Sequence, residues 1–312
     1  MYIFITGGTG FVGQALVRRL RREGHALRLW VRSPERAREQ LGELAGQVEL
    51  VAASGGATAM QAAIADADAI VNLAGEPVIG KRWSARQRQA LADSRVGITQ
   101  QIVAAIAATP MPRHMDRVLV STSAVGYYGD TGAREVDEDS PVGAGFLAEL
   151  TLAWEQAALQ AAAHATRVVL VRVGLVLGRG GGVLARMLPV FRLGVGGPLG
   201  SGEQYFPWVH LHDLVELYAA AIADAKLQGP VNGVAPGIVT NREFARALGR
   251  AVHRPAIFRV PPFALRVALG EAASALVAGQ RVVPRRTQAL GFHFEHPELA
   301  EALAELTAAS PG

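Results

Sequence analysis

The chain contains no cysteine, which removes disulfides, thiolate metal sites and cysteine nucleophiles and leaves the redox compartment undecided on that ground. Lysine is almost as scarce. Lys81 and Lys226 are the only lysines, so nearly all of the 31 basic residues are arginine. Against 27 acidic residues the formal net charge is just +4, and the arginines are scattered, a pattern of solubility and phosphate affinity rather than of a nucleic-acid surface. No uninterrupted apolar run reaches the length of a membrane span. The best candidate, Pro261 to Ala278, is broken by Arg266 and Glu271 and reads as a buried or interfacial helix. The first residues lack a basic segment followed by an apolar one, so no signal peptide and a cytoplasmic location are expected. No Gly-x-x-x-x-Gly-Lys-Ser/Thr phosphate loop and no Gly-x-Ser-x-Gly elbow occurs, which sets aside kinase, GTPase and hydrolase readings. Internal repeats are also absent.

What is present begins at the N-terminus. Residues 1–13, MYIFITGGTGFVG, join an apolar run (Tyr2 to Thr6) to a glycine turn, and an amphipathic segment, ALVRRLRREGH, follows at once. Glycine can hold φ > 0 and carries no Cβ, so backbone N–H groups at a helix N-terminus can approach a dinucleotide pyrophosphate, where the helix dipole favours negative charge. Gly7, Gly8, Thr9, Gly10, Phe11, Val12 and Gly13 are therefore candidate cofactor-binding residues; the alternative is a glycine turn without a ligand. The next strand candidate, Ala26 to Arg32, bears on which dinucleotide. An acidic residue normally stands near its end to bond the ribose 2′-OH of NAD. Here Arg32 and Ser33 stand there, with Arg36 one turn later, and a guanidinium beside a hydroxyl suits a 2′-phosphate, so NADP(H) is expected. The bland alternative for Arg32 is a solvated strand-end residue.

With 312 residues, 50% of them hydrophobic and 19% charged, the chain has the composition of a folded enzyme-sized protein, as one large domain or two smaller ones. Further strand candidates are Val48 to Ala52, Ala69 to Leu73, Arg117 to Ser121 and Arg167 to Val173. Helical patterns lie near Pro34 to Leu44, Thr58 to Ala65, Ser84 to Ala108 and Phe146 to Ala163. Near-continuous Val, Ile and Leu in the strands means burial on both faces, so the expected fold is α/β with a doubly wound parallel sheet. After Gly178 glycine and proline become frequent, and helical patterns recur at His212 to Asp224, Asn241 to Val252 and Pro297 to Leu306. We expect a core over residues 1–178 and a smaller mixed lobe over 179–312, with some core elements returning from the latter.

Motifs spread over nearly the whole chain resemble the extended short-chain dehydrogenase/reductase superfamily, in its epimerase family branch. They are, in order, TGGTGFVG, NLAGEP (Asn72 to Pro77), RWS (Arg82 to Ser84), SRV (Ser94 to Val96), STSAVGYYG (Ser121 to Gly129), FLAEL...WE (Phe146 to Glu155), VGLVLG (Val173 to Gly178), GGPLGSGEQYFPWVHLHDL (Gly196 to Leu214) and PVNGVAP (Pro230 to Pro236). The tail GQRVVPRRTQALGF (Gly279 to Phe292) resembles an extra C-terminal module of that branch. The resemblance implies a Rossmann-type fold with a smaller C-terminal substrate-binding lobe and a catalytic Ser, Tyr and Lys, the last two as Tyr-x-x-x-Lys. Ser123 fits the serine. The pair is missing: counting back from Glu155 puts Leu147 and Thr151 in those places, and the helix asparagine of many relatives is replaced at or near Arg95. Tyr127 and Tyr128 are the nearest phenols for a relocated proton-transfer group; loop packing is their ordinary alternative.

Leu73, Ala74 and Gly75 are expected to line the ribose and nicotinamide side, and Glu76, Lys81 and Arg82 to face the cofactor, or else to form a solvated loop. No metal site is expected. His210 and His212 would share one face of a strand while Asp213 caps the following helix. His293 and His296 read as surface or packing residues, and Trp208 as a buried strand aromatic or a ligand-stacking ring. Two functions follow from the resemblance: an NADP(H)-dependent oxidoreductase or epimerase acting on a small polar substrate, or an NADP(H)-binding regulatory protein without turnover, with a protein partner and a link to cell division. Nucleic acid and a membrane span are not expected.

Overall fold

The structure, a computed structural model, describes residues 1–110 and 117–308. Strand and helix alternate through β1 (Tyr2–Thr6), α1 (Phe11–Arg22), β2 (Ala26–Val31), α2 (Pro34–Leu41), β3 (Glu49–Ala52), α3 (Gly56–Ile64), β4 (Ala69–Asn72), α4 (Ala85–Ala92), α5 (Ile98–Ala108), β5 (Arg117–Ala124), β6 (Glu135–Val136), α6 (Phe146–Leu159) and β7 (Thr166–Val173). The chain continues as β8 (Leu175–Leu177), α7 (Gly182–Arg192), β9 (Trp208–His210), α8 (Leu211–Ala223), β10 (Gly229–Gly233), α9 (Asn241–Ala251), α10 (Pro262–Leu269), α11 (Ser274–Val277), β11 (Arg281–Val282), α12 (Arg285–Ala289) and α13 (Leu299–Thr307).

Seven strands form one sheet in the order β10-β7-β5-β4-β1-β2-β3, with every pairing parallel. Alternation along each strand feeds two cores. Ile3 and Ile5 pack with Leu16, Val17 and Leu20 of α1 and with Leu214 and Leu217 of α8; Phe4, between them, packs on the other face with Met60, Ile64, Ile102 and Ile106. Burial on both faces is why the strands read as unbroken apolar runs. The fold is the doubly wound α/β sheet expected from that pattern.

The helical stretch expected over Ser84 to Ala108 is interrupted. A π-helical turn, Asp93–Gly97, separates α4 from α5. Such a turn inserts one residue into the helical repeat, so it shifts the side chains on either side without disturbing the apolar periodicity much. Elements on both sides of residue 178 contribute to the sheet layer. Both α8 and β10 rejoin the sheet, while α7, β9, α9 and α13 build a further core around Phe191, Phe206, Trp208 and Phe244. Trp208 is an interior residue of that core, its Nε1 donating to the Gly237 carbonyl at 2.8 Å. The Pro261 to Ala278 stretch forms short helices, and Phe263 and Val267 of α10 are exposed. No described helix is long and apolar enough to cross a membrane.

Candidate functional site

Strand order reverses between β1 and β4, and in open α/β sheets the crevice outside the carboxyl ends at such a reversal is where ligands bind. The glycine turn leaves β1 at this point, and its glycines divide the work. Gly7 has φ +71°, and a Cβ there would lie 2.7 Å from the Leu73 carbonyl group, so it sets the turn against the end of β4. Gly13 lets α1 pack onto the turn, since a Cβ would stand 2.2 Å from the Gly7 oxygen. At Gly10, the N-cap of α1, an added Cβ meets nothing within 4 Å except that same oxygen at 3.2 Å. The helix start has no side-chain cap and no acidic residue in its first turn, which leaves backbone donors for an anion. The Phe11 ring turns away to the loop before α7, where a Cβ on Gly181 would be 2.2 Å from it. Val12 packs, partly buried, against the main core.

At the end of β2, Arg32 is exposed and has no hydrogen bond or ion pair among the described residues. Ser33 is the N-cap of α2: its Oγ accepts the Arg36 N–H at 3.3 Å and donates to Glu35 Oε2 at 2.8 Å. The hydroxyl expected at a 2′-phosphate therefore has competing partners.

Beyond β4, the Leu73 N–H continues the ladder to the Thr6 carbonyl at 3.1 Å. A buried chain of side chains fixes this strand end. Thr6 Oγ1 donates to Asn72 Oδ1 at 2.7 Å, Asn72 Nδ2 donates to Thr99 Oγ1 at 2.8 Å, and Trp154 Nε1 donates to the same oxygen at 3.0 Å. The Glu76 N–H donates to Ser94 Oγ at 3.0 Å. Its carboxylate lies 2.7 Å from the Lys81 ammonium, which holds it below the usual range, with Arg32 and Arg95 adding to the effect. Arg82 does not face the cofactor crevice as a free cation: its guanidinium donates to the Val267 carbonyl, and its stem lies along Gly270. The α10 segment offers it an unsatisfied helix carbonyl, and that contact draws it away.

The expected catalytic strip is largely occupied. Ser123, at the end of β5, is buried and donates to Glu155 Oε1 at 2.5 Å. Glu155 in turn is gripped by Arg172 through Nε at 2.8 Å and Nη2 at 2.9 Å. Tyr128 is also buried; its hydroxyl donates to Asn232 Oδ1 at 2.8 Å and accepts from Arg172 Nη1 at 3.0 Å, and burial pushes the phenol up to about 12. Tyr128 thus contradicts the expectation of an accessible proton donor, because the space around it is filled by Arg172 and Asn232. Tyr127 differs. It is half-buried with its ring on the Arg172 guanidinium, 3.6 Å from the centroid, and its hydroxyl has no hydrogen bond among the described residues. On α6, Leu147 and Thr151 do face the loop after β5: a Cβ on Gly126 would lie 3.4 Å from the Leu147 Cβ and 3.8 Å from Thr151 Oγ1.

The histidine expectations need correction. β9 ends at His210, so His212 lies on α8 and the two do not share a strand face. His210, not Asp213, caps α8, its Nδ1 accepting the His212 N–H at 3.2 Å. Asp213 is instead buried and accepts the backbone N–H groups of Glu295 and His296 at 2.9 and 3.0 Å. His296 stacks on His210 with centroids 3.8 Å apart, and these two rings with Glu305 bring ligand-type atoms within 4.8 Å of one another. His296 Nε2 pairs with Glu305 Oε2 at 2.7 Å, whereas His210 Nε2 lies 3.9 Å from Glu305 Oε1, beyond hydrogen-bond distance, and is buried without a partner among the described residues. His293 is exposed.

The sequence places Arg95 only in SRV, at or near the position of the helix asparagine of many relatives, and assigns it no binding role. Arg95, in the π-helical turn, has its guanidinium over Gly75: a Cβ there would be 3.3 Å from both Cζ and Nη2.

Comparison with known proteins agrees with this architecture. Residues 3–232 match the NAD dependent epimerase/dehydratase family, and residues 260–306 match a domain of unknown function, DUF1731. Epimerase family protein SDR39U1 of Bos taurus is 42% identical over 313 residues, spanning 99% of this chain and 100% of its own length. The chloroplastic SDR39U1 homolog of Arabidopsis thaliana is 41% identical over 303 residues, 97% of this chain and 86% of its own. The crystal structure of human epimerase family protein SDR39U1 (isoform 2) with NADPH superposes with a TM-score of 0.84 at 37% identity, covering 98% of this chain and 99% of that one.

Proposed function

Because the chain belongs to the NAD dependent epimerase/dehydratase family, we propose that it binds NADP(H) at the β1/β4 reversal and acts as an oxidoreductase or epimerase on a small polar substrate. The observation that carries the cofactor reading is an uncapped, acid-free helix start at Gly10, where a Cβ would meet only the Gly7 oxygen, with the Arg32 guanidinium, unpaired among the described residues, at the end of the neighbouring strand. Backbone groups of Gly7, Gly8, Thr9, Gly10, Phe11, Val12 and Gly13 hold the pyrophosphate, and Arg32 with Ser33 holds the 2′-phosphate once Ser33 exchanges Glu35 for it. Leu73, Ala74 and Gly75 line the ribose and nicotinamide side, with Glu76 beside them. NADPH bound in the related human crystal structure supports the same choice of cofactor.

When bound, the nicotinamide gives or accepts a hydride. The chain must then move a proton at the substrate oxygen, and Tyr127 is the phenol of the strip whose hydroxyl has no partner among the described residues, while Ser123 orders that end of β5 through Glu155. The cytoplasmic location expected from the sequence is part of this proposal. A regulatory reading without turnover, acting through a protein partner, is favoured by one observation: Ser123 and Tyr128 are both committed to buried partners. Fluorescence titration with NADPH and NADH tests the cofactor assignment, which equal affinities overturn. A screen of carbonyls and alcohols for a change in NADPH absorbance decides between enzyme and regulator. Turnover that falls in Tyr127→Phe supports the enzyme, and no turnover across the screen supports the regulator.

A further inference from the structure

Arginines buried in this fold have their donors filled. All three guanidinium nitrogens of Arg117 donate to carbonyl oxygens, and those of Arg172 donate to Glu155, Tyr128 and the Glu138 carbonyl. Arg95, which is half-buried, is paired far less completely. Its Nη1 has two long contacts, 3.4 Å to the Leu91 carbonyl and 3.3 Å to Ser94 Oγ, and its Nε and Nη2 have no partner among the described residues. Glu76 is the carboxylate nearest in electrostatic effect, yet it is held by Lys81 at 2.7 Å and makes no ion pair with Arg95 among the described residues. Desolvation accordingly pushes the Arg95 guanidinium down to about 10. The Trp154 ring, 5.4 Å from Cζ, offsets little of this. A cation kept this poor in partners is poised for an anion from outside.

Its place fits. The three-residue strand end Leu73–Gly75 touches the glycine turn at Gly7 and the Arg95 guanidinium at Gly75, so the cation stands next to the crevice at the carboxyl ends of β1 and β4. The π-helical turn is what brings it there, and such turns concentrate at functional sites. We propose that Arg95 is the anion-binding residue of the crevice, clamping a phosphate or carboxylate group of the molecule that lies over Gly75. The inference rests on the crevice assignment above. The anion comes either from the cofactor diphosphate or from an acidic substrate.

Phenylglyoxal modification of the unaltered protein, mapped by mass spectrometry, reads the site without a mutation. NADPH, inorganic pyrophosphate or malonate should slow modification of Arg95 at least fivefold. Calorimetry on Arg95→Gln should show about 10- to 100-fold weaker binding of whichever probe protects. Protection by NADPH and pyrophosphate, with adenosine 2′,5′-bisphosphate affinity unchanged in the variant, assigns the anion to the cofactor diphosphate. Protection by malonate on the NADP⁺-saturated protein assigns it to the substrate. If none of the three protects Arg95, or if a folded Arg95→Gln binds the protecting probe within twofold of the unaltered protein, the inference is wrong. A protein that does not bind NADPH defeats the proposed function instead, and protection of Arg95 by pyrophosphate or malonate still decides this one.

Discussion

Substituting alanine at Gly10 and at Gly13 should separate binding from folding within a single turn. At Gly13 the new Cβ would stand 2.2 Å from the Gly7 oxygen and 2.8 Å from the Gly8 carbonyl carbon, both backbone atoms, so the turn or α1 must shift by roughly an ångström. Overpacking of that kind costs about 1–3 kcal/mol or more. Gly10 has φ −76° and ψ 176°, a conformation open to any residue, and its Cβ would meet only the Gly7 oxygen at 3.2 Å. Gly10→Ala should therefore lose only about 0.5–1 kcal/mol, the usual penalty of alanine at an N-cap. Binding should respond in the opposite order. A methyl over the uncapped N–H groups keeps a pyrophosphate at arm's length, and losing one charge-assisted hydrogen bond weakens affinity on the order of 10- to 100-fold. Thermal and urea unfolding, with and without NADPH, read both effects. At a ligand concentration 100 times Kd the unaltered protein gains about 2.7 kcal/mol, and the same concentration stabilises Gly10→Ala by about 0.4–1.4 kcal/mol. A full NADPH stabilisation of Gly10→Ala, or a Gly13→Ala variant as stable as the parent, would refute the assignment of roles.

Other groups lend themselves to shorter tests. Arg32→Ala should weaken NADPH about 10- to 100-fold while leaving NADH unchanged, as measured by titration, because only the former presents a 2′-phosphate to the free guanidinium; an equal loss for both contradicts it. Glu155→Gln leaves the Arg172 guanidinium buried without its carboxylate and should lower stability by about 3–5 kcal/mol in urea unfolding; a loss under about 1 kcal/mol would show that Tyr128 and the Glu138 carbonyl suffice to hold it. Burial, with His296 alongside, pushes His210 down to about 4 from the ordinary 6.5. The unfolded chain takes up that proton first, so stability that is complete above about pH 6.5 falls by as much as about 3 kcal/mol on the way to pH 4. His210→Asn keeps a side-chain acceptor for the His212 N–H and should flatten that decline; an unchanged pH slope rules out His210 as its source.

How much of this was legible beforehand depended on the range over which each feature is specified. The glycine turn is local: strand, turn and helix adjoin in 13 residues, and the spacing of Gly7, Gly10 and Gly13 follows from the shape of one turn. The sheet was legible because burial on both faces leaves the middles of β1, β4, β5 and β7, residues 3–5, 69–71, 118–120 and 168–171, entirely apolar. Ser33 shows the limit of reading type without context. A serine before Pro34 and Glu35 is also a helix N-cap, and the backbone N–H of Arg36 donates to its hydroxyl. The π-helical turn left no trace, because one inserted residue barely disturbs the apolar spacing from Ala85 to Ala108, yet it sets where Arg95 points.

The buried polar network under the strand ends was out of reach for a different reason. Ser123, Glu155 and Arg172 meet from β5, α6 and β7, and nothing in the neighbourhood of any one of them specifies the other two. The same holds for Glu138, which takes N–H groups from Asn232, Arg286 and Thr287 and so ties β10 and α12 to the loop after β6. Asn232 also accepts from Tyr128 and donates to the Val283 carbonyl. The C-terminal segment therefore completes the floor beneath the phenols: by satisfying Glu138 and Asn232 it keeps Arg172 and Tyr128 fixed, and a fixed Arg172 holds the Tyr127 ring against its guanidinium. An extra segment beyond the sheet is in this way part of the packing beneath the proposed site.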